Sequence, residues 1–156
     1  MRIHIVLDRL RSAYNTGNIF RLADAVGAIE IICCGYTPCP PHPKLSKTAM
    51  GAERHVSFRK FNSSIEAVDS LRNEGVERIL AVETSADGLC PWNVQFGESV
   101  AVVFGNEAFG VSPDTVRACD GIVSLPLFGM KSSINVGNCA AVVLYTILAL
   151  NRTKNA

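Results

Sequence analysis

The sequence has no strong excess of charge and no hydrophobic run long enough to cross a membrane. Its 156 residues include 15 Lys and Arg against 14 Asp and Glu, so the net charge is +1. Such a chain has no overall field that would hold a polyanion, and nucleic-acid contact would need a local basic patch or a groove between subunits. The longest apolar run, residues 140–150, is interrupted only by Thr146. It is shorter than the roughly 20 residues of a membrane helix. We therefore expect a largely buried helix there and no contact with a membrane.

The six cysteines lack the spacing of a disulfide framework, and no secretory leader precedes them. We therefore expect reduced thiols and a cytoplasmic protein. A zinc site would be the alternative for the set Cys33, Cys34, Cys39 and His42. No Cys-x-x-Cys pair is present, however, and neighbouring residues on a strand point to opposite faces. We expect no metal.

Short apolar segments alternate with segments of helical periodicity along the chain. The pattern predicts strands over 3–7, 29–34, 55–61, 78–83, 99–104 and 122–125. It predicts helices from Asn15 onward and over 44–52, 64–73, 112–119 and 135–150. Regular alternation is typical of an α/β fold, with a mostly parallel sheet and helices on both faces. We expect one domain over 1–156 without an RNA-binding extension.

Three loops that follow predicted strands are candidates for a shared site, namely residues 83–88, 105–110 and 126–133. Ligands of parallel α/β sheets bind beyond the carboxyl ends of the strands. The loop 105–110 lacks the Lys-Ser/Thr pair of a P-loop, and no G-x-G-x-x-G follows the first strand. The nucleophile motif G-x-S-x-G is also absent. These absences argue against a Walker nucleotide site, a nicotinamide enzyme and a hydrolase.

Glu107 and Arg21 each have a simple interpretation when taken alone. Glu107 could be a carboxylate at a helix start, where the helix dipole favours negative charge. Arg21 shares the polar side of the first predicted helix with Asn15 and Asn18, near its start. It could bind phosphate there or be only a solvated charge.

The order of three segments resembles the motifs of one enzyme family. The segments are NTGNIFR at 15–21, FGNEAFG at 104–110, and LPLFG followed by SSINV within 125–136. They are similar to the patterns N-x-G-x-x-x-R, G-x-E-x-x-G and I/L-P-x…S-L/I-N-V of the SpoU and TrmH class of SPOUT RNA methyltransferases. The resemblance covers essentially the whole chain.

The resemblance implies an S-adenosylmethionine-dependent enzyme that methylates a ribose 2′-hydroxyl of RNA. A lean domain with little positive charge suits tRNA, a compact prefolded substrate, better than ribosomal RNA, which is the second candidate. The resemblance also implies a C-terminal deep trefoil knot, and a homodimer with RNA lying across both subunits. The implied catalytic residues are Asn15, Arg21, Glu107, Ser133 and Asn135. Those expected around S-adenosylmethionine are Thr84, Phe104, Gly105, Asn106, Glu107, Gly110, Leu125, Leu127, Ser133 and Asn135. Candidate RNA contacts are Arg9, Arg11, Asn18, Arg21, Lys47 and Arg54.

The implied chemistry requires the ribose hydroxyl to attack a sulfonium methyl in line and to lose its proton. The family resemblance assigns that proton to Arg21. Neutralising a guanidinium of pKa near 13 at pH 7 costs about 8 kcal/mol, so a phosphate clamp is the easier role. The proton acceptor stays open.

One departure from the family pattern is Gly137, which stands where many relatives carry a serine. It motivates a second hypothesis, a noncatalytic RNA-binding module that keeps the knot. A flavodoxin-like small-molecule enzyme would require the order of the motifs to be a coincidence.

Overall fold

Six short apolar segments form one parallel sheet in the computed structural model, which describes residues 1–154 and the side chains of 1–151. The strands are β1 Arg2–Asp8, β2 Glu30–Cys34, β3 Phe58–Phe61, β4 Arg78–Val82, β5 Ser99–Gly105 and β6 Gly121–Val123. They lie in the order β3-β2-β1-β5-β4-β6, and every neighbouring pair is parallel. This confirms the predicted α/β class.

The helices cover both faces of the sheet, as predicted. They are α1 Ala13–Val26, α2 Pro43–Ala49, α3 Ser64–Asn73, α4 Pro113–Ala118 and α5 Val136–Lys154. Side chains alternate between the two faces of a strand, so each face has its own apolar core. Helices α1, α2 and α5 pack on the face that includes Ile5 and Leu7 of β1. Helices α3 and α4 pack on the opposite face, which includes Val6.

Local capping explains why several boundaries differ from the sequence prediction. Helix α1 begins at Ala13 because Ser12 is its N-cap and accepts the Asn15 N–H at 3.2 Å. Helix α2 ends at Ala49, where Met50 and Gly51 adopt φ of 55° and 94°. A 3-10 turn over Ala52–Arg54 follows, so β3 begins at residue 58 and not at 55.

The C-terminal elements also differ in length from the prediction. Strand β6 covers only Gly121–Val123, whereas 122–125 was predicted. Helix α5 continues to Lys154 instead of ending at residue 150. Residues 155 and 156 of the predicted single domain lie outside the described residues.

The strand order reverses between β1 and β5, which are neighbours at the centre of the sheet. The chain leaves β1 toward β2 and β3 on one side, and β4 and β6 lie on the other. Such a reversal leaves a crevice at the carboxyl ends of the strands, where α/β proteins bind ligands. No helix among the described residues combines the length and apolar character that crossing a membrane requires.

Candidate functional site

A cavity of about 540 Å³ opens at the carboxyl edge of the sheet. The loops after β4, β5 and β6 and the start of α5 form its walls. Its volume lies within the range of roughly 300–1,000 Å³ that is usual for small-molecule sites. All ten residues that were predicted to surround S-adenosylmethionine line this cavity, which brings the second and third motifs together.

The Glu107 carboxylate holds the beginning of α1. Its Oε2 accepts the Arg11 N–H at 2.8 Å, and its Oε1 accepts the Ser12 N–H at 3.0 Å and the Asn15 Nδ2 at 3.0 Å. Burial acts to raise the pKa of Glu107, but these donors outweigh it and hold that pKa below the usual glutamate value. Glu107 is thus a carboxylate at a helix start, as its simple interpretation held, and the helix that it stabilises is α1.

Asn135 extends this arrangement to α5. Its Nδ2 donates to Asn15 Oδ1 at 3.1 Å, and its Oδ1 accepts the N–H groups of Gly137 at 2.8 Å and Asn138 at 3.3 Å. The last two contacts satisfy N–H groups that the start of a helix leaves unpaired. We call Glu107, Asn15 and Asn135 the motif network, because each belongs to a different one of the three motifs.

Ser133 and Arg21 take no part in the motif network. Ser133 is exposed and lines the cavity. Arg21 is exposed on α1, does not line the cavity, and has no side-chain hydrogen bond or ion pair to any described residue. Because it follows Asn15 by six positions, it points about a third of a helical turn away from the face that carries Asn15. Four of the five predicted catalytic residues are thus gathered at the cavity or bonded to its wall, and Arg21 is not.

Asn106 is buried and fixes the loop after β5. Its Nδ2 donates to the backbone oxygen of Arg9 at 2.7 Å and to the Tyr36 hydroxyl at 3.0 Å. Its Oδ1 accepts the backbone N–H groups of Ala108 and Phe109. A buried amide with all these bonds made is a rigid support. Asn106 therefore determines the shape of the cavity wall.

Residues 2–145 match the model of the SpoU rRNA Methylase family. The chain belongs to this family. The tRNA (guanosine(18)-2′-O)-methyltransferase of Thermus thermophilus is 30% identical over 141 residues, which are 90% of this chain and 71% of that protein. The 23S rRNA (uridine(2479)-2′-O)-methyltransferase of Streptomyces viridochromogenes is 31% identical over 144 residues, which are 90% of this chain and 50% of that protein.

A solved SpoU methyltransferase has the same fold. AviRb from Streptomyces viridochromogenes, crystallised with its cofactor AdoMet, superposes with a TM-score of 0.86 at 26% identity. The match covers 96% of this chain and 58% of AviRb. This SpoU family chain therefore spans only part of each of these relatives.

Glu83 lines the cavity directly after β4. It is the first residue of the candidate loop 83–88, but it was not among the residues predicted to bind S-adenosylmethionine or to act in catalysis. Its Oε2 accepts the Val111 N–H at 2.8 Å and its Oε1 accepts the Thr84 N–H at 3.0 Å. Thr84 in turn donates its hydroxyl to the Ser132 backbone oxygen at 3.2 Å, which ties the loop after β4 to the loop after β6. The available signal was its position as the first residue of a candidate loop that follows a predicted strand.

The predicted RNA contacts differ in how free their side chains are. Arg9 is half-buried and ion-paired with Asp8, with Nε 2.8 Å from Oδ1, so its guanidinium is already engaged. Arg11, Lys47 and Arg54 are exposed. Within the described part of the chain no three His, Cys, Asp or Glu residues cluster as metal ligands would. The role of these cations in a SpoU enzyme stays a prediction.

Gly137, the departure from the SpoU pattern, sits against the predicted RNA contact Asn18. A Cβ added at Gly137 would lie 2.5 Å from Asn18 Nδ2 and 3.1 Å from Asn135 Oδ1. Serine, the residue implied here by the family resemblance, would therefore require the end of the Asn18 side chain to turn away. The Asn18 side chain occupies the space that a side chain at position 137 would need.

Proposed function

We propose that this SpoU family chain transfers a methyl group from S-adenosylmethionine to a ribose 2′-hydroxyl of tRNA, with ribosomal RNA as the second candidate substrate. The observation that carries the proposal is the motif network, which joins all three motifs at the wall of one cavity. The relatives named above act on tRNA and on 23S rRNA, and AviRb binds AdoMet.

The cavity walls suit S-adenosylmethionine. Phe104, Leu125 and Leu127 supply apolar surface for an adenine ring, and the loops supply backbone N–H and C=O groups to read its edge. Gly105 has no room for a Cβ because the backbone of Gly110 and Val111 lies against it. When bound, the donor supplies an electrophilic methyl on its sulfonium. The chain's own task is to place a ribose hydroxyl in line with that methyl.

Glu107 is a positioning residue in this proposal and not the proton acceptor. Its carboxylate already accepts hydrogen bonds from three donors, and its lowered pKa makes it a weak base. Ser133 and Asn135 line the cavity and can orient the ribose. Arg21 is an exposed guanidinium suited to clamping an RNA phosphate bidentately.

We also propose that the chain works as a homodimer. Helix α5 exposes Val142 and Tyr145, one turn apart, and α1 packs beside it with Tyr14 exposed. A second copy would cover this apolar face. Since Arg21 lies outside the cavity of its own chain, a dimer also offers a route by which one subunit's Arg21 serves the other's cavity. Analytical ultracentrifugation of wild type and Tyr145→Glu tests this, and a monomeric wild type would contradict it.

We further propose one domain over 1–156, a C-terminal trefoil knot and a cytoplasmic location. The shared sheet under both cores supports the single domain. The knot rests on the family resemblance and on the likeness of fold to AviRb. All six cysteines are free thiols, which suits a reducing compartment.

The test is transfer of a labelled methyl group from S-adenosylmethionine to separate pools of unmodified tRNA and ribosomal RNA, followed by identification of the labelled nucleoside. We expect a 2′-O-methylnucleoside from tRNA, and its loss in Arg21→Ala with donor binding retained. Arg78→Ala is the matched control, since Arg78 is an exposed arginine at the opposite end of the sheet. Donor binding without label in either pool would favour the noncatalytic RNA-binding module.

A further inference from the structure

The charged side chains that line the cavity are all acidic. Among the described residues these are Glu83 and Glu107, and no Lys, Arg or His lines the cavity wall. The two carboxylates are held differently. Glu107 is exposed and bonded to three donors at the start of α1, whereas Glu83 is half-buried. Glu83 is therefore the less screened of the two negative charges.

Glu83 cannot swing away from the cavity without losing its support. Its two oxygens accept backbone N–H groups from two separate loops, at Val111 and at Thr84. Gly110 lies directly against the carboxylate with φ of 68°, and a Cβ at that position would overlap Glu83 Oε2. The backbone thus makes room for this carboxylate and fixes its charge at the wall.

The methyl donor and its product differ by one unit of charge. S-adenosylmethionine has a sulfonium, an ammonium and a carboxylate, for a net charge of +1, and S-adenosylhomocysteine lacks the sulfonium charge. A fixed negative charge in a partly enclosed site favours the cationic ligand. We propose that Glu83 makes the cavity selective for the cationic donor over its product, which has no net charge, so that methyl transfer itself weakens the binding of the product. This inference rests on the proposed function.

The readout is a ratio of dissociation constants, because general damage to the cavity weakens all ligands and leaves the ratio unchanged. Calorimetry would give the constants for S-adenosylmethionine, S-adenosylhomocysteine and sinefungin, an analogue with an ammonium in place of the sulfonium. In Glu83→Gln we expect the preference for each cationic ligand over S-adenosylhomocysteine to fall about tenfold. This is the loss expected when an attraction between two unit charges on opposite sides of such a cavity is removed, at an effective dielectric constant of about 20.

Two variants separate charge from structure. Glu83→Asp keeps the charge and should keep the ratio even if every ligand binds more weakly. Glu77→Gln is the matched control, since Glu77 directly precedes β4 and its carboxylate accepts the Glu98 N–H at 3.0 Å at the other end of the strand. It should leave the ratio unchanged.

The outcomes are distinct. If Glu83→Gln weakens all three ligands equally, Glu83 only supports the two loops and the inference is overturned. If wild type binds none of the three ligands, the proposed function itself fails.

Discussion

Replacing Glu107 by glutamine tests whether this carboxylate positions the site or acts on the substrate. Glutamine keeps the length of the side chain, but it cannot satisfy three donors. With its oxygen toward Ser12 and Asn15, its amide nitrogen faces the Arg11 N–H. One hydrogen bond is lost and two lose their charge assistance at a partly exposed position. We expect the free energy of unfolding to fall by about 1–2 kcal/mol, and by about 2–4 kcal/mol in Glu107→Ala.

Urea unfolding measures this loss, and amide hydrogen exchange localises it. The N–H groups of Arg11 and Ser12 should exchange faster in the variant, because they lose their acceptors. The Gly137 N–H should also exchange faster. It donates to Asn135, and the Asn135 amide in turn donates to Asn15, which is bonded to Glu107. Unchanged stability and exchange with methyl transfer abolished would refute this reasoning and would make Glu107 the proton acceptor.

The pH dependence of this effect has a definite sign. The hydrogen bonds hold the folded-state pKa of Glu107 below its unfolded value of about 4.3. The stability that Glu107 contributes is therefore complete above about pH 4.3 and is lost as the pH falls through the folded-state pKa. The difference in free energy of unfolding between wild type and Glu107→Gln should be constant from about pH 6 to 8 and should become smaller at acidic pH.

Two further predictions concern the contact between Gly137 and Asn18 and the reactivity of the cysteine thiols. Gly137→Ala should cost less than about 1 kcal/mol in free energy of unfolding, because the Asn18 side chain must turn away while the gain in helix propensity offsets part of that cost. In the double variant with Asn18→Ala this cost should disappear. If urea unfolding shows that the effects of the two substitutions simply add, the contact between positions 18 and 137 is contradicted. The neighbouring Cys33 thiol lowers the pKa of Cys39, whereas burial raises the pKa of Cys139 to about 11. Iodoacetamide at pH 7.5 should therefore modify Cys39 well before Cys139 by mass spectrometry, and equal labelling would contradict the assignment.

The alternation of short apolar runs was enough to predict the sheet, because the four strands β1, β2, β4 and β5 are almost completely buried and are therefore rich in apolar residues. Helix α3 was predicted with its observed bounds, since Ser63 provides a clear N-cap. The prediction for the segment from Met50 to Val56 was wrong, since it gave the end of a helix and the start of a strand there. The left-handed residues and 3-10 turn of this segment depend on packing against α1, which no periodicity reports.

The site was only partly predictable for a different reason. The family motifs identified which segments meet, but the hydrogen bonds that join them link residues 92 and 120 positions apart. Glu83 belongs to none of the three motifs, so only its place in the candidate loop 83–88, directly after a predicted strand, pointed to it. Arg21 belongs to a motif and yet lies outside the cavity, because a helix turns its side chain away from that of Asn15.

The motif network explains why amide and carboxylate side chains, and not free bases, occupy these positions. Glu107 holds the start of α1, and Asn135 caps the start of α5, with Asn15 bonded to both. The network thereby fixes both helices relative to the cavity. These same helices present the apolar face that we propose for the dimer, and α1 also presents Arg21. A displacement at the cavity would thus reach the proposed dimer face and Arg21 together. We therefore propose that the side chains of the motif network align the site, and that a group outside the network removes the proton.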